Sequence, residues 1–216
     1  RKRTQQTSWY NETLNTATRG SRREFPAVAV LVLEATQLTI YDGDDPNLPM
    51  WMVFNTTSGN LIGGSTSLNA VTALNGIIVT AASGYTMETR FISDNPLDWY
   101  TNQLFQYKGN IEQRNDTLGF TLIESYGIIN PTCNDVAMTV LPNAPIDDAT
   151  GLPIPTIAVA TNDGVSVIKD DGTVISSTSS SSAYHIKKIA FTDEYGLNAH
   201  IDSSSASNKA LVYVNN

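Results

Sequence analysis

Residues 154–174 read IPTIAVATNDGVSVIKDDGTV, and this stretch decides the fold because two β-branched runs alternate with short Asp-Gly turns. Runs rich in Val, Ile and Thr that are bounded by Asn, Asp and Gly are typical of strands joined by hairpins. Asp170-Asp171-Gly172 closes the second run, and comparable polar corners stand at residues 42–45 and 93–95. Because Asp and Gly tolerate positive φ and hydrogen-bond their own backbone, we interpret the acidic turn as the corner of a sheet.

The same unit recurs along the chain in a fixed order of runs. The most apolar runs are FPAVAVLVLEAT (25–36), GIIVTAASG (76–84), IPTIAVATNDG (154–164) and YGLNAHIDSS (195–204). The runs that precede them are LNAVTALNG (68–76), NDVAMTVLP (134–142) and IKKIAFTDE (186–194). The runs that follow them are QLTIYDGDD (37–45), GYTMETRFISDN (84–95), GVSVIKDDG (164–172) and NKALVYVNN (208–216). The most polar, outer runs are WMVFNTT (51–57) and TVISSTSSSS (173–182).

This order predicts four-stranded antiparallel meanders, each with a buried central strand and a polar outer edge. Repetition of such a unit is how β-propellers are built. We therefore predict an all-β protein with a β-propeller-like domain over residues 25–216. It would hold about four blades, the last one incomplete, as in a partial propeller. A β-sandwich is the alternative architecture.

Charge is distributed unevenly along the chain. The 216 residues carry a net charge of −8 and are 41% hydrophobic, as expected of a globular protein. A basic N-terminal arm is predicted over residues 1–24, solvated or bound in an assembly, because six cations face Glu12 alone up to residue 23. These cations are Arg1, Lys2, Arg3, Arg19, Arg22 and Arg23. Since the remainder is acidic and would repel phosphate, we expect no nucleic-acid partner.

Two further features bear on the surroundings of the chain. No run approaches the roughly 20 apolar residues that span a bilayer, so membrane insertion is not expected. The sequence begins RKRT, which favours a processed chain or a segment of a longer polypeptide.

An aromatic-rich excursion separates the second blade from the third, over residues 96–120. Its aromatic side chains are candidates for stacking on sugar rings in an exposed recognition loop. The alternative is that the cluster fixes the loop against its blade. The residues concerned are Trp99, Tyr100, Phe105 and Tyr107.

Signals for catalysis are weak, and we predict a non-enzymatic protein without cofactor or metal. Cys133 precedes an apolar run and is predicted to be a buried hydrophobe. The acids of residues 42–45 would suit Ca²⁺, but the Gly and Glu of an EF-hand loop are missing at the required positions. A glycosidase requires two carboxylates that converge, which a sequence does not reveal. The candidates for such a pair are Asp147, Asp148, Asp163 and Glu194.

Two stretches carry a resemblance to a known class of proteins. They are SWYNETLNTATRGSRREFPAVAVLVLEATQLTIYDGDDPNLPMWMVF (8–54) and VAMTVLPNAPIDDATGLPIPTIAVATNDGVSVIKDDGTV (136–174). Both resemble tailed-bacteriophage virion proteins, in which a propeller-like region lies near lectin-like modules of the tail or fibre.

The resemblance implies a structural or host-attachment component of a virion. It also implies a homo-oligomer that contacts other virion subunits and a host-surface glycan, and that is assembled in the host cytoplasm. The alternative function is a carbohydrate-active enzyme, a polysaccharide depolymerase on a propeller scaffold.

Overall fold

The computed structural model describes residues 4–62, 67–148, 150–178 and 184–203, and these residues fold almost entirely into β-strands. Two short 3₁₀ turns, Thr4–Gln6 and Ser8–Asn11, precede the first strand. The described part contains no α-helix, and hence no helix that could cross a membrane. The all-β prediction is therefore confirmed.

The strands form four antiparallel sheets, in each of which the strands follow the order of the chain. Sheet 1 contains β1 (Ala29–Glu34), β2 (Gln37–Asp42) and β3 (Met50–Asn55). Sheet 2 contains β4 (Leu68–Leu74), β5 (Ile77–Ala82), β6 (Thr86–Arg90), β7 (Asn95–Tyr100), β8 (Gln103–Tyr107) and β9 (Phe120–Glu124). Sheet 3 contains β10 (Cys133–Thr139), β11 (Thr156–Thr161), β12 (Gly164–Ile168) and β13 (Val174–Thr178). Sheet 4 contains β14 (Tyr184–Phe191) and β15 (Leu197–Ser203).

Residues 154–174 form most of the β11–β12–β13 meander. β11 is buried along its whole length, as predicted for a central strand. At the acidic corner, Gly172 has φ +83° and its N–H donates to Lys169 O over 3.0 Å. Asp171 accepts the backbone N–H of Thr173 over 2.8 Å, so its carboxylate serves the turn. The corner interpretation is confirmed.

The four sheets stack face to face in the order of the chain. One hydrophobic cluster joins sheet 1 to sheet 2, a second joins sheet 2 to sheet 3, and a third joins sheet 3 to sheet 4. The first strands of the sheets lie next to one another, since β1 contacts β4, β4 contacts β10, and β10 contacts β14. The described strands do not close into a barrel.

The predicted burial of sheet 1 is wrong in two places. β1 was expected to be buried on both faces, but it is an edge strand whose residues alternate between half-buried and exposed. β3 was expected to be a polar outer edge, but four of its residues are buried. The reason is that the N-terminal segment continues the ladder on β3: Gly20 N–H donates to Trp51 O and Val53 N–H to Thr18 O.

The predicted excursion over residues 96–120 is not a continuous loop, because strands make up nearly half of it. It contributes most of β7, all of β8 and the start of β9, so sheet 2 has six strands in place of four. The terminal run NKALVYVNN (208–216), the arm residues Arg1, Lys2 and Arg3, and part of the serine-rich run at 173–182 lie outside the described residues.

Candidate functional surfaces

The arginines of the predicted arm that the structure describes, Arg19, Arg22 and Arg23, bind groups of their own chain. Arg19 is fully buried, donates from Nη1 to Trp51 O over 2.8 Å, and stacks on the Trp51 ring at 4.8 Å. Burial lowers the pKa of Arg19 to about 10, an effect that the nearby Glu12 carboxylate partly offsets. Arg23 donates to Tyr10 O and lies over the Tyr10 ring. The expectation of a solvated basic arm is therefore wrong for residues 4–24, because these two guanidinium groups donate to main-chain carbonyls and lie over the rings of Trp51 and Tyr10.

Arg22 and the acidic corner of sheet 1 form one cluster. Arg22 Nη1 lies 2.7 Å from both Asp42 Oδ1 and Asp44 Oδ2. Asp44 also accepts the N–H groups of Ala27 and Val28, each over 2.9 Å. The bond from Ala27, followed by that from Arg22, lowers the pKa of Asp44. These two acids fix the segment that leads into β1. Within the described part of the chain, no three His, Cys, Asp or Glu side chains are grouped so that they could bind a metal ion.

The four aromatic residues singled out as glycan-binding candidates lie in strands. Trp99 is 1% exposed, packs between sheets 2 and 3, and donates from Nε1 to Glu88 Oε2 over 3.1 Å. Tyr107 is 2% exposed, and burial together with Asp116 raises its pKa to about 12. Tyr100 and Phe105 are half-buried and meet edge to face at 5.3 Å. The expected exposure is wrong for Trp99 and Tyr107, because β7 and β8 place these two rings in the cores. Tyr100 and Phe105 stay partly exposed, and a role for them in glycan binding stays a prediction.

Two reactive side chains are buried away from any cavity that the structure describes. Cys133 has no exposed area and accepts a hydrogen bond from Thr86 Oγ1 over 3.1 Å, as predicted for a buried thiol. Burial raises the Cys133 pKa to about 12. Asp98 is 1% exposed, its Oδ1 has no hydrogen-bond partner among the described residues, and burial raises its pKa well above the ordinary value. Neither group meets solvent.

The candidate carboxylates for a glycosidase are divided between the two ends of sheet 3 and a turn of sheet 4. Asp147 and Asp148 lie in the connection from β10 to β11, whereas Asp163 lies in the turn from β11 to β12. The six residues of β11 separate these ends, a distance of roughly 20 Å. Asp163 accepts the side-chain amide of Asn130 over 2.7 Å. Asp163 therefore cannot form a catalytic pair with Asp147 or Asp148, since such pairs require a separation below about 10 Å. Glu194 lies in the turn from β14 to β15.

A groove of about 450 Å³ lies where the start of β1, the turns of sheet 2 and the β10–β11 connection meet. Its walls are mostly apolar and come from five separate segments, so no local sequence pattern indicates it. They include Phe25, Pro26, Ala27, Ala29, Ala73, Leu74, Ile92 and Leu152. Asn75 fixes one side, since its Nδ2 donates to Pro153 O over 2.8 Å.

A smaller recess of about 120 Å³, which is less apolar than the groove, continues it. It shares Asn75 and Ile92 with the groove and adds Arg90, Ser93 and Asp147. The Nε of Arg90 lies 2.6 Å from the buried carboxylate of Glu88, which fixes the direction of the guanidinium. Together the groove and the recess offer an apolar floor with hydroxyl, amide, carboxylate and guanidinium groups at one end.

Two apolar surfaces remain open to solvent. The valine stripe, formed by Val28, Val30 and Val32, lies on the face of sheet 1 that points away from sheet 2, and its members are 58%, 38% and 40% exposed. The other surface surrounds the edge strand β9, where Leu122 and Ile123 are 47% and 42% exposed.

No protein-family model matches the chain, and no curated protein is significantly similar to it. The function is therefore inferred from the residues and their arrangement.

Proposed function

We propose that this protein is a non-enzymatic structural or host-attachment component of a phage-like virion, built as an arc of propeller-like blades. The resemblance of residues 8–54 and 136–174 to tailed-phage virion proteins supplies the class. The stacked meanders and their open apolar face support the structural role.

Two features of the stack support a propeller-like arc. In a propeller, each sheet is a meander and the blades surround a common axis. Here the strands of every sheet follow chain order, and the first strands of consecutive sheets lie side by side while later strands lie further out. Consecutive sheets share a hydrophobic cluster, as neighbouring blades do.

The observation that carries the proposal is the valine stripe. On the inner face of β1, Leu31 and Leu33 pack into the cluster with sheet 2. On the outer face, Val30 and Val32 stand where a further blade or subunit would pack. Contiguous apolar side chains on a surface mark interaction sites. We infer that this face contacts another subunit of the particle.

The distribution of ionisable groups favours binding over catalysis. Arg19, Arg22 and Arg114 are all engaged by groups of their own chain. Among the described carboxyl groups, Asp98 is the one whose pKa is raised, and its side chain is buried away from the groove. A general acid for sugar cleavage must combine a raised pKa with access to substrate.

The test of the structural role is the mass of the purified chain in solution, measured by light scattering and sedimentation. We expect a species heavier than the 23.4 kDa monomer, and we expect the double variant Val30→Asp, Val32→Asp to lose that contact. Ile146→Asp is the matched control, because Ile146 is 57% exposed but lies in the β10–β11 connection. A valine variant that assembles as fully as the control would refute the role of the stripe.

The groove is the surface we assign to host attachment. Its mixture of apolar floor and polar end suits a saccharide, which presents hydroxyl groups and apolar ring faces. The test measures binding of the protein to host-envelope polysaccharide. Ala73→Arg should fill the groove, because Ala73 lines it. Ala190→Arg is the control, since Ala190 is also an exposed strand residue but does not line the groove. Loss of binding in the first variant alone would support attachment here. Equal binding by both variants would refute it.

A further inference from the structure

Exposed large hydrophobic side chains are concentrated around β9. Twelve such residues occur in the described part of the chain, and four of them lie between residues 118 and 126. They are Leu118, Leu122, Ile123 and Tyr126, which are 38%, 47%, 42% and 43% exposed. Single exposed hydrophobics require no explanation, but a cluster of this kind marks an interaction surface.

β9 also presents an unpaired backbone edge. It ends the strand order of sheet 2, pairs with β8 on one side, and meets no other strand of the described residues on its outer side. Exposed edge strands are usually protected by Lys, Pro or short length. β9 reads FTLIE, with one charged residue, Glu124, at its end. The outer strand of sheet 3, β13, reads VISST and exposes mostly hydroxyl groups.

We propose that β9 pairs antiparallel with β9 of a second copy of this chain, across a two-fold axis at Leu122. In this register Leu122 faces its own counterpart, and Phe120 faces Glu124 of the other copy. The two Glu124 side chains then lie about 14 Å or more apart along the ladder. A parallel, in-register pairing would place them directly opposite each other, which is unfavourable.

The bulge in β9 fits this arrangement. Leu104 pairs with Glu124 and Phe105 with Leu122, so Ile123 is an extra residue outside the β8 register. The side chains of Ile123 and Leu122 are both exposed. In the proposed dimer they add side-chain apolar contacts to the backbone hydrogen bonds between the two β9 strands. The pairing would join two six-stranded sheets into one continuous sheet of two copies, an isologous contact that closes on itself.

This contact is separate from the valine stripe and does not depend on the protein being a virion component. A two-fold contact at β9 together with a contact at the stripe would give each subunit two distinct neighbours, which is how extended assemblies grow.

The first test is sedimentation equilibrium of Leu122→Lys in the Val30→Asp, Val32→Asp background, in which the stripe contact is removed. Leu122→Lys places two ammonium groups opposite each other and should weaken the β9 dimer by about tenfold or more. Ile175→Lys is the matched control, because Ile175 is 55% exposed on the outer strand of sheet 3. Mixing Leu122→Lys with Leu122→Glu should restore a dimer that neither forms alone. Equal association of Leu122→Lys and Ile175→Lys, or a mixture that stays monomeric, would overturn the proposal.

The second test does not require a destabilising change. Leu122→Cys should form a disulfide between copies under mild oxidation, since facing residues of an antiparallel pair have Cα atoms about 4.5–5.5 Å apart. Ile175→Cys should not, and the native Cys133 is buried and does not compete. The cross-link should persist in the Val30→Asp, Val32→Asp variant, which separates this contact from the one at the stripe. Equal cross-linking of the two cysteine variants would count against β9 pairing.

Discussion

Replacing Glu12 by Gln should destabilise the protein strongly, because Glu12 is the counter-charge of two buried arginines. Arg114 is 1% exposed and donates from Nη1 and Nη2 to the two Glu12 oxygens over 2.8 and 2.9 Å. Arg19 is fully buried, with its Nε 3.7 Å from Glu12 Oε2. The two guanidinium groups lie close enough to repel each other, which lowers the pKa of Arg19 further.

The magnitude follows from burial. Removing one partner of a buried ion pair costs about 3–5 kcal/mol, because the remaining charge loses both water and its partner. Gln keeps the size of the side chain and one acceptor oxygen, so we expect the lower part of that range, about 3 kcal/mol. For a domain of this size, 1 kcal/mol shifts Tm by roughly 2–4 °C, so Tm should fall by about 6–12 °C.

The assay is urea denaturation followed by tryptophan fluorescence, with thermal unfolding as a second measurement. Glu112→Gln is the matched control, because it makes the same chemical change at an exposed position two residues before Arg114. We expect the control to change the unfolding free energy by less than about 0.5 kcal/mol. If Glu12→Gln is as stable as Glu112→Gln, Glu12 does not neutralise the buried arginines and the reasoning is wrong.

Three further predictions concern buried groups and one turn. Asp98 has a raised pKa when folded, so the folded protein stays protonated there while the unfolded chain ionises above about pH 4. The free energy of unfolding of the wild type should therefore fall as pH rises. In denaturant titrations, the stability of Asp98→Asn relative to wild type should increase between about pH 4 and pH 7. A difference in unfolding free energy between the two proteins that does not change with pH would contradict this. Cys133, with a pKa of about 12, should react with a thiol reagent at pH 8 only after denaturation, and fast labelling of the native protein would show that the thiol is accessible. Gly164→Ala should lower the free energy of unfolding by more than about 1 kcal/mol, since the new methyl would lie 2.0 Å from Ser177 O. The methyl of Gly172→Ala would meet no atom within 4 Å, so this variant should lose less stability. Equal losses of stability in the two variants would refute the clash.

Strand content and hairpin corners followed from the sequence because both are local properties. The β11–β12–β13 meander shows this, since alternating β-branched runs and an Asp-Gly turn specify it without reference to the remainder of the chain. The burial of β1 did not follow, because an apolar strand at a sheet edge and one at its centre have similar composition. Which of the two applies depends on what packs outside, and for β3 that is the segment around Thr18 and Gly20.

The candidate surfaces were harder to predict than the strands. The charge of Arg19 suggested a solvated arm, but its partners are main-chain carbonyls, which no composition reveals. Trp99 and Tyr107 suggested stacking on a ligand, and the same side chains serve equally well in a core. The groove brings residues near 25, 74, 92 and 152 together, and no local pattern connects positions so far apart.

The burial of Trp9 has a consequence for the order in which the protein folds during synthesis. Its indole donates to Phe91 O, 82 residues later, and Glu12 binds Arg114, 102 residues later. At about 5–20 residues per second, a ribosome takes on the order of 5–20 s to make that interval. Throughout this time Trp9 lacks Phe91 and Glu12 lacks Arg114. The nascent chain must therefore carry an exposed tryptophan and an N-terminal segment without its long-range partners until most of sheet 2 has been made.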